Sequence, residues 1–562
     1  MRTQGLRVLG GIAVAALLLA GCRPVGAPPG SASVSVGEAP VDATTGIAAE
    51  AGLIVRIDSG DIAGAAENGV EAFLGIPYAA PPVGALRWRA PQPVEPWSGV
   101  RRATAYGSDC SQAANDIEKI RTTPSEDCLY LNVWRPKQEV AIGAAEGAGD
   151  KLPVLVWIHG GGFVGGGSSI PWYDGSEFAR DGVVVVSLNY RLGRLGFFAH
   201  PALLATGERP TGNFGYLDQI AALRWVQHNI AAFGGDPQRV TLMGQSAGGA
   251  SVLALLTSPA AQGLFQQVVV LSGGGRDGLL SKPMTNGTAE HPSADQIDRR
   301  FAEGLGVEGE NAETLAALRA LPAATVQGDV NLNKLAQVAL LGDQVYPGTQ
   351  MIDGDIVPSQ PGDILASGEA PAMPMLIGTT ALDLPAFFPP STLNPLAFFG
   401  ENAEKARAAY NAPAQLDQNS LAALLLGIGA DMTMHEPARF AARQVTRHGS
   451  PAWLYRFTYT AQAARPKSMA QGHAGELAFL FDQLAAQYGS AVTPKDEEMA
   501  KAFHTYVANF VKHGDPNGDG LPQWPVFAPA AYDLMHFTLD AGPVYQRDPR
   551  ADRIELVEKA RE

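Results

Sequence analysis

The chain is short of positive charge. Its 562 residues carry 41 Lys and Arg against 56 Asp and Glu, a formal net charge of −15 at pH 7. Affinity for nucleic acid comes largely from neutralising phosphates with basic side chains, and no clustered basic footprint is present to do so. A nucleic-acid partner is therefore excluded. The acidic balance favours solubility and mildly repels anionic substrates. Apolar runs of membrane-spanning length are missing too, since the uncharged stretch Val8–Ala20 is too short for a stable span. No internal repeat of the roughly 20–50-residue solenoid kind recurs. Cysteine is scarce, with three residues in all. What the chain does have is apolar material, 46% against 17% charged, ample for a large packed core. A length prior of about 150 residues per domain suggests several domains. No internal linker is visible, however, so one large α/β domain with long insertions is expected.

The N-terminus reads as an export leader. Arg2 and Arg7 form a basic head, an apolar run follows, and Leu19-Ala20-Gly21-Cys22 closes it. This tetrad resembles a bacterial lipobox, which predicts a lipoprotein-type signal peptide over 1–21 and lipid attachment at Cys22. Acyl chains there would hold the protein to a membrane without spanning it. Residues 22–50, rich in Pro, Gly, Ser and Ala, read as a flexible tether. The catalytic domain is expected over 51–562, with order beginning near the strand-like Leu53–Ile57. After Cys22 only Cys110 and Cys128 remain. In an exported chain they suggest one disulfide in an oxidising compartment, the alternative being two buried thiols.

The middle of the chain alternates strand and helix. Val154–Ile158 and Val183–Val186, continuing to Leu188, are continuous apolar runs of strand length, suited to a parallel sheet covered on both faces. Tyr216, Ile220, Leu223, Val226 and Ile230 recur at helical spacing, and Gly234-Gly235 ends that helix. Val240–Met243 predicts a short strand, and Ala250–Leu256 a helix. Gln267–Leu271 and Met375–Ile377 predict later strands. Such βα units imply a mostly parallel, twisted sheet. Ser281–Ala372 and Pro389–Arg447 are expected to be insertions that cap the sheet.

Between that short strand and helix lies Gly244-Gln245-Ser246-Ala247-Gly248, a G-x-S-x-G pattern in the strand–turn–helix context it requires. The turn is sharp, so positions two before and two after the serine must lack bulk. It lifts the Ser246 hydroxyl clear of the sheet edge, and the following helix N-terminus favours negative charge. His159-Gly160-Gly161-Gly162-Phe163 follows the strand Val154–Ile158. Glycines leave peptide N–H groups bare, so the amides of Gly161, Gly162 and Ala247 are candidate oxyanion donors. Gly160, Gly162 and Gly165 also satisfy G-x-G-x-x-G, but no helix opens after them and no acidic residue follows the next strand. A dinucleotide site is therefore set aside.

With these residues assembled, the chain closely resembles the type-B carboxylesterases, which include cholinesterases and bacterial para-nitrobenzyl esterases. The resemblance runs from about Leu53 to the C-terminus. It is carried by Phe73–Tyr78 with Pro81–Gly84, by Ser125-Glu126-Asp127-Cys128-Leu129-Tyr130-Leu131-Asn132-Val133-Trp134, and by Phe233–Pro237 running on to Gly244–Gly248. It implies the α/β-hydrolase fold and a triad ordered Ser, acid, His along the chain. His473, in His473-Ala474-Gly475-Glu476-Leu477, occupies the context of the family's base. The family's acid lies five residues past a strand-ending glycine. Here that glycine is Gly378 and the position is Asp383, with Asp353 and Asp355 as fallbacks. The family's acid usually stands in Asp-Glu-Gly; here the side chain is the shorter Asp and the usual following Gly is missing. The resemblance also makes Cys110–Cys128 a family bridge and Ser272 a supporting hydrogen-bond donor behind the triad. Two departures argue against a choline ester. Residues 111–127 contain no aromatic, and Gln245 stands where cholinesterases carry Glu.

These expectations describe a serine carboxylesterase working through an acyl-enzyme on small-molecule esters, with no metal and no cofactor. Asp515–Gly520 resembles the start of a calcium loop, but Val526 stands where a bidentate Glu is needed. A lipase acting at interfaces and a non-catalytic cholinesterase-like binding protein are the rivals. The second typically loses the nucleophile or its elbow, and this chain keeps both. The chain is expected to be exported and lipid-anchored or secreted.

Overall fold

A computed structural model describes residues 53–115, 119–137, 151–207, 209, 212–276, 281–289, 291–335, 349–384, 392–465 and 471–562. The leader 1–21, Cys22 and the tether 22–50 lie outside the described residues.

Eleven strands form the central sheet. In chain order they are β1 (Ala65–Glu67), β2 (Val70–Pro77), β3 (Tyr130–Pro136), β4 (Leu152–Ile158), β5 (Val184–Leu188), β6 (Gly235–Gln245), β7 (Gln267–Leu271), β8 (Met375–Thr380), β9 (Ala452–Phe457), β10 (Asp533–Thr538) and β11 (Gly542–Arg547). Across the sheet the order is β11-β10-β9-β8-β7-β6-β4-β5-β3-β2-β1. From β10 to β5 every neighbouring pair is parallel, and antiparallel strands finish both edges. With the helices on both faces this is the α/β-hydrolase fold.

The run Val154–Ile158 lacks polar alternation because both its faces are buried. Val154, Val156 and Ile158 join one core, and Leu155 and Trp157 join the other. The first core is closed by α1 (Phe214–Asn229) and α2 (Ala247–Leu256). The second is closed by α4 (Pro494–His513), which follows α3 (Glu436–Arg447) in the chain. A last helix, α5 (Ala551–Arg561), packs beside α3.

Strand β4 is the topological pivot. The chain leaves it to form β5 on one side and returns to form β6 on the other. Loops leaving the carboxyl ends of strands on either side of such a pivot must diverge, and a crevice opens between them. The His159–Phe163 loop and Ser246 lie at the carboxyl ends of β4 and β6, on that crevice.

The elements differ from expectation at their ends. The strand predicted over Val240–Met243 extends over Gly235–Gln245, because Gly235 already pairs with Leu152 before an irregularity in register. The helix after Ser246 starts at Ala247, three residues earlier than its apolar pattern suggests. The region Pro389–Arg447 contains a feature that periodicity does not announce, a π-helical turn at Asp431–His435 joining two α-helical stretches. The Asp515–Gly520 segment is a turn closed by Asn517, whose carboxamide accepts from the Trp524 amide (2.7 Å) and donates to its carbonyl (2.9 Å).

Candidate active site

Ser246 sits at the junction of β6 and α2 with φ 57° and ψ −123°, a conformation that costs a non-glycine residue of order 1–3 kcal/mol. The surroundings hold it there. Its amide donates to Leu271 O (2.9 Å), and its carbonyl accepts from the Ala250 amide (2.8 Å). The flanking glycines are required by contact. A Cβ on Gly244 would lie 2.3 Å from Gly248 O, and one on Gly248 would lie 2.1 Å from Ile158 O. Positive φ recurs around this point at Phe163 (62°), Ser272 (48°) and Ala474 (64°).

The glycine loop lies opposite. Gly161 and Gly162 have φ 110° and 60°. The Gly161 carbonyl accepts from the amides of Val164 and Gly165, both at 3.0 Å, which closes the turn. Ala247 opens α2, so its N–H has no intrahelical acceptor. His159 is buried and stacked on Tyr190, with ring centroids 4.5 Å apart. Burial pushes its pKa down to about 4, so the ring is neutral, and its Nδ1 bonds to Gly160 O (2.7 Å). Leu335 covers the loop: a Cβ on Gly162 would fall 2.4 Å from its Cδ2.

Asp383 and His473 meet although 90 residues separate them. Asp383 Oδ1 lies 2.5 Å from His473 Nδ1. The carboxylate also accepts from Ser272 Oγ (2.6 Å), the Thr380 amide (3.0 Å) and the Leu384 amide (2.9 Å). Burial by itself would raise the pKa of Asp383. The His473 imidazole and these donors outweigh it and hold the group well below the usual carboxylate range. The two loops are further stitched where the Leu382 amide donates to Gln471 O (2.8 Å).

His473 Nε2 faces the elbow. Its hydrogen-bond partner there is the Gln245 carboxamide, with Gln245 Nε2 at 3.3 Å. Among the described residues no hydrogen bond joins the ring to Ser246 Oγ in this arrangement. An imidazole that donates from Nδ1 to Asp383 keeps its Nε2 lone pair, so the Gln245 amide donates to it.

The fallback acids lie elsewhere. Asp353 accepts from Asn213 Nδ2 (2.7 Å) and from the Asp355 and Val357 amides (both 2.9 Å), and Asp355 is exposed. Ser272 takes the supporting position expected of it. Cys110 and Cys128 are joined as a disulfide, with Cα atoms 4.9 Å apart.

Residues 51–556 match the Carboxylesterase family. The chain belongs to the type-B carboxylesterases. It is therefore a carboxylic ester hydrolase. It is similar to the fumonisin B1 esterase of Sphingopyxis macrogoltabida, 35% identical over 498 residues that cover 84% of each chain. It is equally similar to the para-nitrobenzyl esterase of Bacillus subtilis, 35% identical over 517 residues covering 89% of this chain and 97% of that one. The cocaine esterase of Homo sapiens is 34% identical over 539 residues, 88% of each chain. A solved structure of a PNB esterase superposes with a TM-score of 0.72 at 34% identity, covering 90% of this chain and 100% of that one.

Several groups around the site of this carboxylesterase escaped sequence reasoning. Glu476 is fully buried, and burial, with the Asp383 charge behind it, pushes its pKa up to about 8. It stands three residues after His473, so its position was in plain view, but nothing in the sequence marks it as buried. The amides of Thr380 and Leu384 are backbone donors, which no side-chain pattern reveals. In the sequence Gln245 stands out only as a departure from Glu, and its contact with the imidazole arises from the fold.

Proposed function

We propose that this carboxylesterase hydrolyses neutral carboxylic esters through Ser246, His473 and Asp383, with the amides of Gly161, Gly162 and Ala247 as the oxyanion hole. The observation that carries the reading is the 2.5 Å contact between Asp383 and Nδ1 of His473, with Nε2 turned toward the serine elbow.

When an ester enters, the Ser246 hydroxyl takes the place of the Gln245 amide at Nε2, since hydrogen bonds of this kind often form only with substrate bound. Nε2 removes the hydroxyl proton as Oγ attacks the carbonyl carbon. Asp383 keeps the ring in the tautomer that leaves Nε2 free and stabilises the imidazolium that forms. The carbonyl oxygen gains charge opposite the three amides, each worth about 3–4 kcal/mol to the transition state. The imidazolium then protonates the departing alcohol. Water, deprotonated by the same nitrogen, attacks the acyl-enzyme and releases the acid and Ser246.

Support for neutral substrates comes from the uncharged Gln245 beside the base and from the lack of aromatics over residues 111–127. The relatives are named for fumonisin B1, para-nitrobenzyl and cocaine esters, so likeness to them carries a reaction and not one substrate. The mature enzyme is exported and held to a membrane through acylated Cys22, a reading supported by the leader and by a disulfide suited to an oxidising compartment. Mass spectrometry of the mature N-terminus tests it, and an unacylated or uncleaved terminus refutes it.

A series of p-nitrophenyl esters of rising chain length, run on wild type and Ser246→Ala, tests the chemistry. Wild type should show turnover and stoichiometric labelling at Ser246 by a fluorophosphonate. Equal turnover by the alanine variant would remove the mechanism.

A further inference from the structure

We propose that Gln112 is a positioning residue for the oxyanion amides, and that the Cys110–Cys128 bridge serves to hold it in place. The inference rests on the assignment of the Gly161, Gly162 and Ala247 amides as oxyanion donors.

Gln112 is buried, two residues after Cys110. Its carboxamide pairs with both peptide groups of Gly166, as a neighbouring strand would. Nε2 donates to Gly166 O (2.7 Å), and Oε1 accepts from the Gly166 amide (3.0 Å). The same Nε2 donates to Cys110 O (3.0 Å), which ties the side chain to the bridged backbone. Gly166, at φ +100°, presses directly on the start of the oxyanion loop. A Cβ there would fall 2.5 Å from His159 Nδ1 and 2.6 Å from Gly160 O. A chain of contacts thus runs from the disulfide to Gln112, to Gly166, to His159 and Gly160, and so to the amides of Gly161 and Gly162.

The bridged segment and the residue just before it grip the same strip of backbone. Asp109, fully buried, accepts from Ser169 Oγ (2.5 Å) and Thr122 Oγ1 (2.6 Å), and Gly167 lies so close that a Cβ would meet its Oδ1 at 2.0 Å. The Arg121 amide and guanidinium donate to Ser169 Oγ (2.8 Å) and Ser169 O (2.6 Å). These bonds secure Gly167–Ser169. Among the described residues it is Gln112 that hydrogen-bonds Gly166, the residue that touches the loop from behind. A glycine loop has no side chains of its own to lock it, and oxyanion donors act only when preorganised. The external brace supplies that order.

The test uses the full chain and compares Gln112→Ala, Gln112→Glu and the double variant Cys110→Ala/Cys128→Ala with wild type. Gln112→Ala should lower kcat about tenfold or more with KM little changed. It should also weaken inhibition by a trifluoromethyl ketone, whose hemiketal oxygen occupies the oxyanion hole, by a similar factor. Gln112→Glu keeps the acceptor for the Gly166 amide but sets an ionised oxygen against the Gly166 and Cys110 carbonyls. It should therefore lose kcat and inhibitor affinity together, as Gln112→Ala does, and regain part of both at lower pH, where a protonated carboxyl can donate. In the Cys110→Ala/Cys128→Ala background, adding Gln112→Ala should cost little more, because both changes release the same contact. A Gln112→Ala enzyme with wild-type kcat and inhibitor affinity overturns the proposal. So does a kcat loss in which inhibitor affinity is unchanged. If Gln112→Ala fails to fold, Gln112→Glu and the cysteine variant decide by the same two readouts. Turnover by Ser246→Ala would instead overturn the underlying site assignment, which keeps the two failures distinct.

Discussion

Gln245 Nε2 lies 3.3 Å from Nε2 of His473, on the side of the ring remote from Asp383. A neutral amide in that place can cap the imidazole lone pair but cannot stabilise an imidazolium by charge. Gln245→Glu puts a carboxylate there. An opposite charge at this range favours the protonated ring, so the base stays protonated to higher pH and activity is lost from the acid side. The acid limb of the kcat/KM profile should move up by about 1 unit or more. A profile that superposes on wild type would show that residue 245 does not face the base during turnover.

Asp383→Asn preserves shape and removes charge. An amide N–H pointing at Nδ1 forces the tautomer with the proton on Nε2, where it cannot accept from Ser246. The kcat for p-nitrophenyl acetate should fall about 10³–10⁴-fold, with residual activity left by the oxyanion amides. Ser272→Ala removes only one of four contacts to the carboxylate and should cost far less, within about tenfold. Equal losses in the two variants would contradict the role given to the Asp383 charge.

Much of this site could be read from the sequence, because its parts are local. An elbow needs two glycines around Ser246, and an oxyanion loop needs glycines after a strand, so both leave short signatures. Asp383 is marked only by its count from Gly378, since its contact with His473 spans two loops that nothing in either segment links. The limits of β6 and α2 differ from the apolar pattern for a related reason. Gly235 enters the sheet by pairing with Leu152, and Ala247 enters the helix through the elbow, and neither carries an apolar pattern. Gln112, Glu476 and Asp431 are polar residues buried by long-range packing. Composition and periodicity treat such residues as surface.

Glu476 supplies a stability test against pH. Neither of its carboxyl oxygens has a hydrogen-bond partner elsewhere in the described residues, and its pKa is pushed up from 4.5 to about 8, first by burial and then by Asp383. The folded state therefore holds a proton that the unfolded state releases. Stability from this group is intact below pH 4.5 and declines as pH rises toward about 8. Glu476→Gln cannot ionise, so its advantage over wild type in urea unfolding should grow between pH 5 and pH 8 by on the order of a few kcal/mol. A gap that stays constant between those pH values would mean that Glu476 is not protonated in the native protein.

Asp431 makes the opposite case, a buried carboxylate that must stay charged. It opens the π-helical turn and meets Arg553 Nε (2.7 Å), His435 Nδ1 (2.7 Å) and Tyr410 Oη (2.7 Å), with Arg550 at 3.8 Å. Burial opposes its ionisation, but His435 and the two arginines prevail and hold its pKa well below the usual range. The cluster also reaches the loop that carries Asp383. His435 Nε2 bonds to Thr380 O (3.1 Å), Arg550 donates to Ala381 O, and Thr433 Oγ1 donates to Leu384 O (2.5 Å), so the loop bearing Asp383 is gripped on both sides. Asp431→Ala leaves Arg550 and Arg553 partly buried without their counter-charge and should cost about 3–5 kcal/mol in urea unfolding at pH 7. Because the folded pKa is depressed, the wild-type contribution is complete above the ordinary carboxylate range and fades as pH falls below it. The gap between wild type and Asp431→Ala should therefore shrink from pH 7 to pH 3. A gap of the same size at both pH values would assign the loss to the cavity left by the side chain and not to its charge.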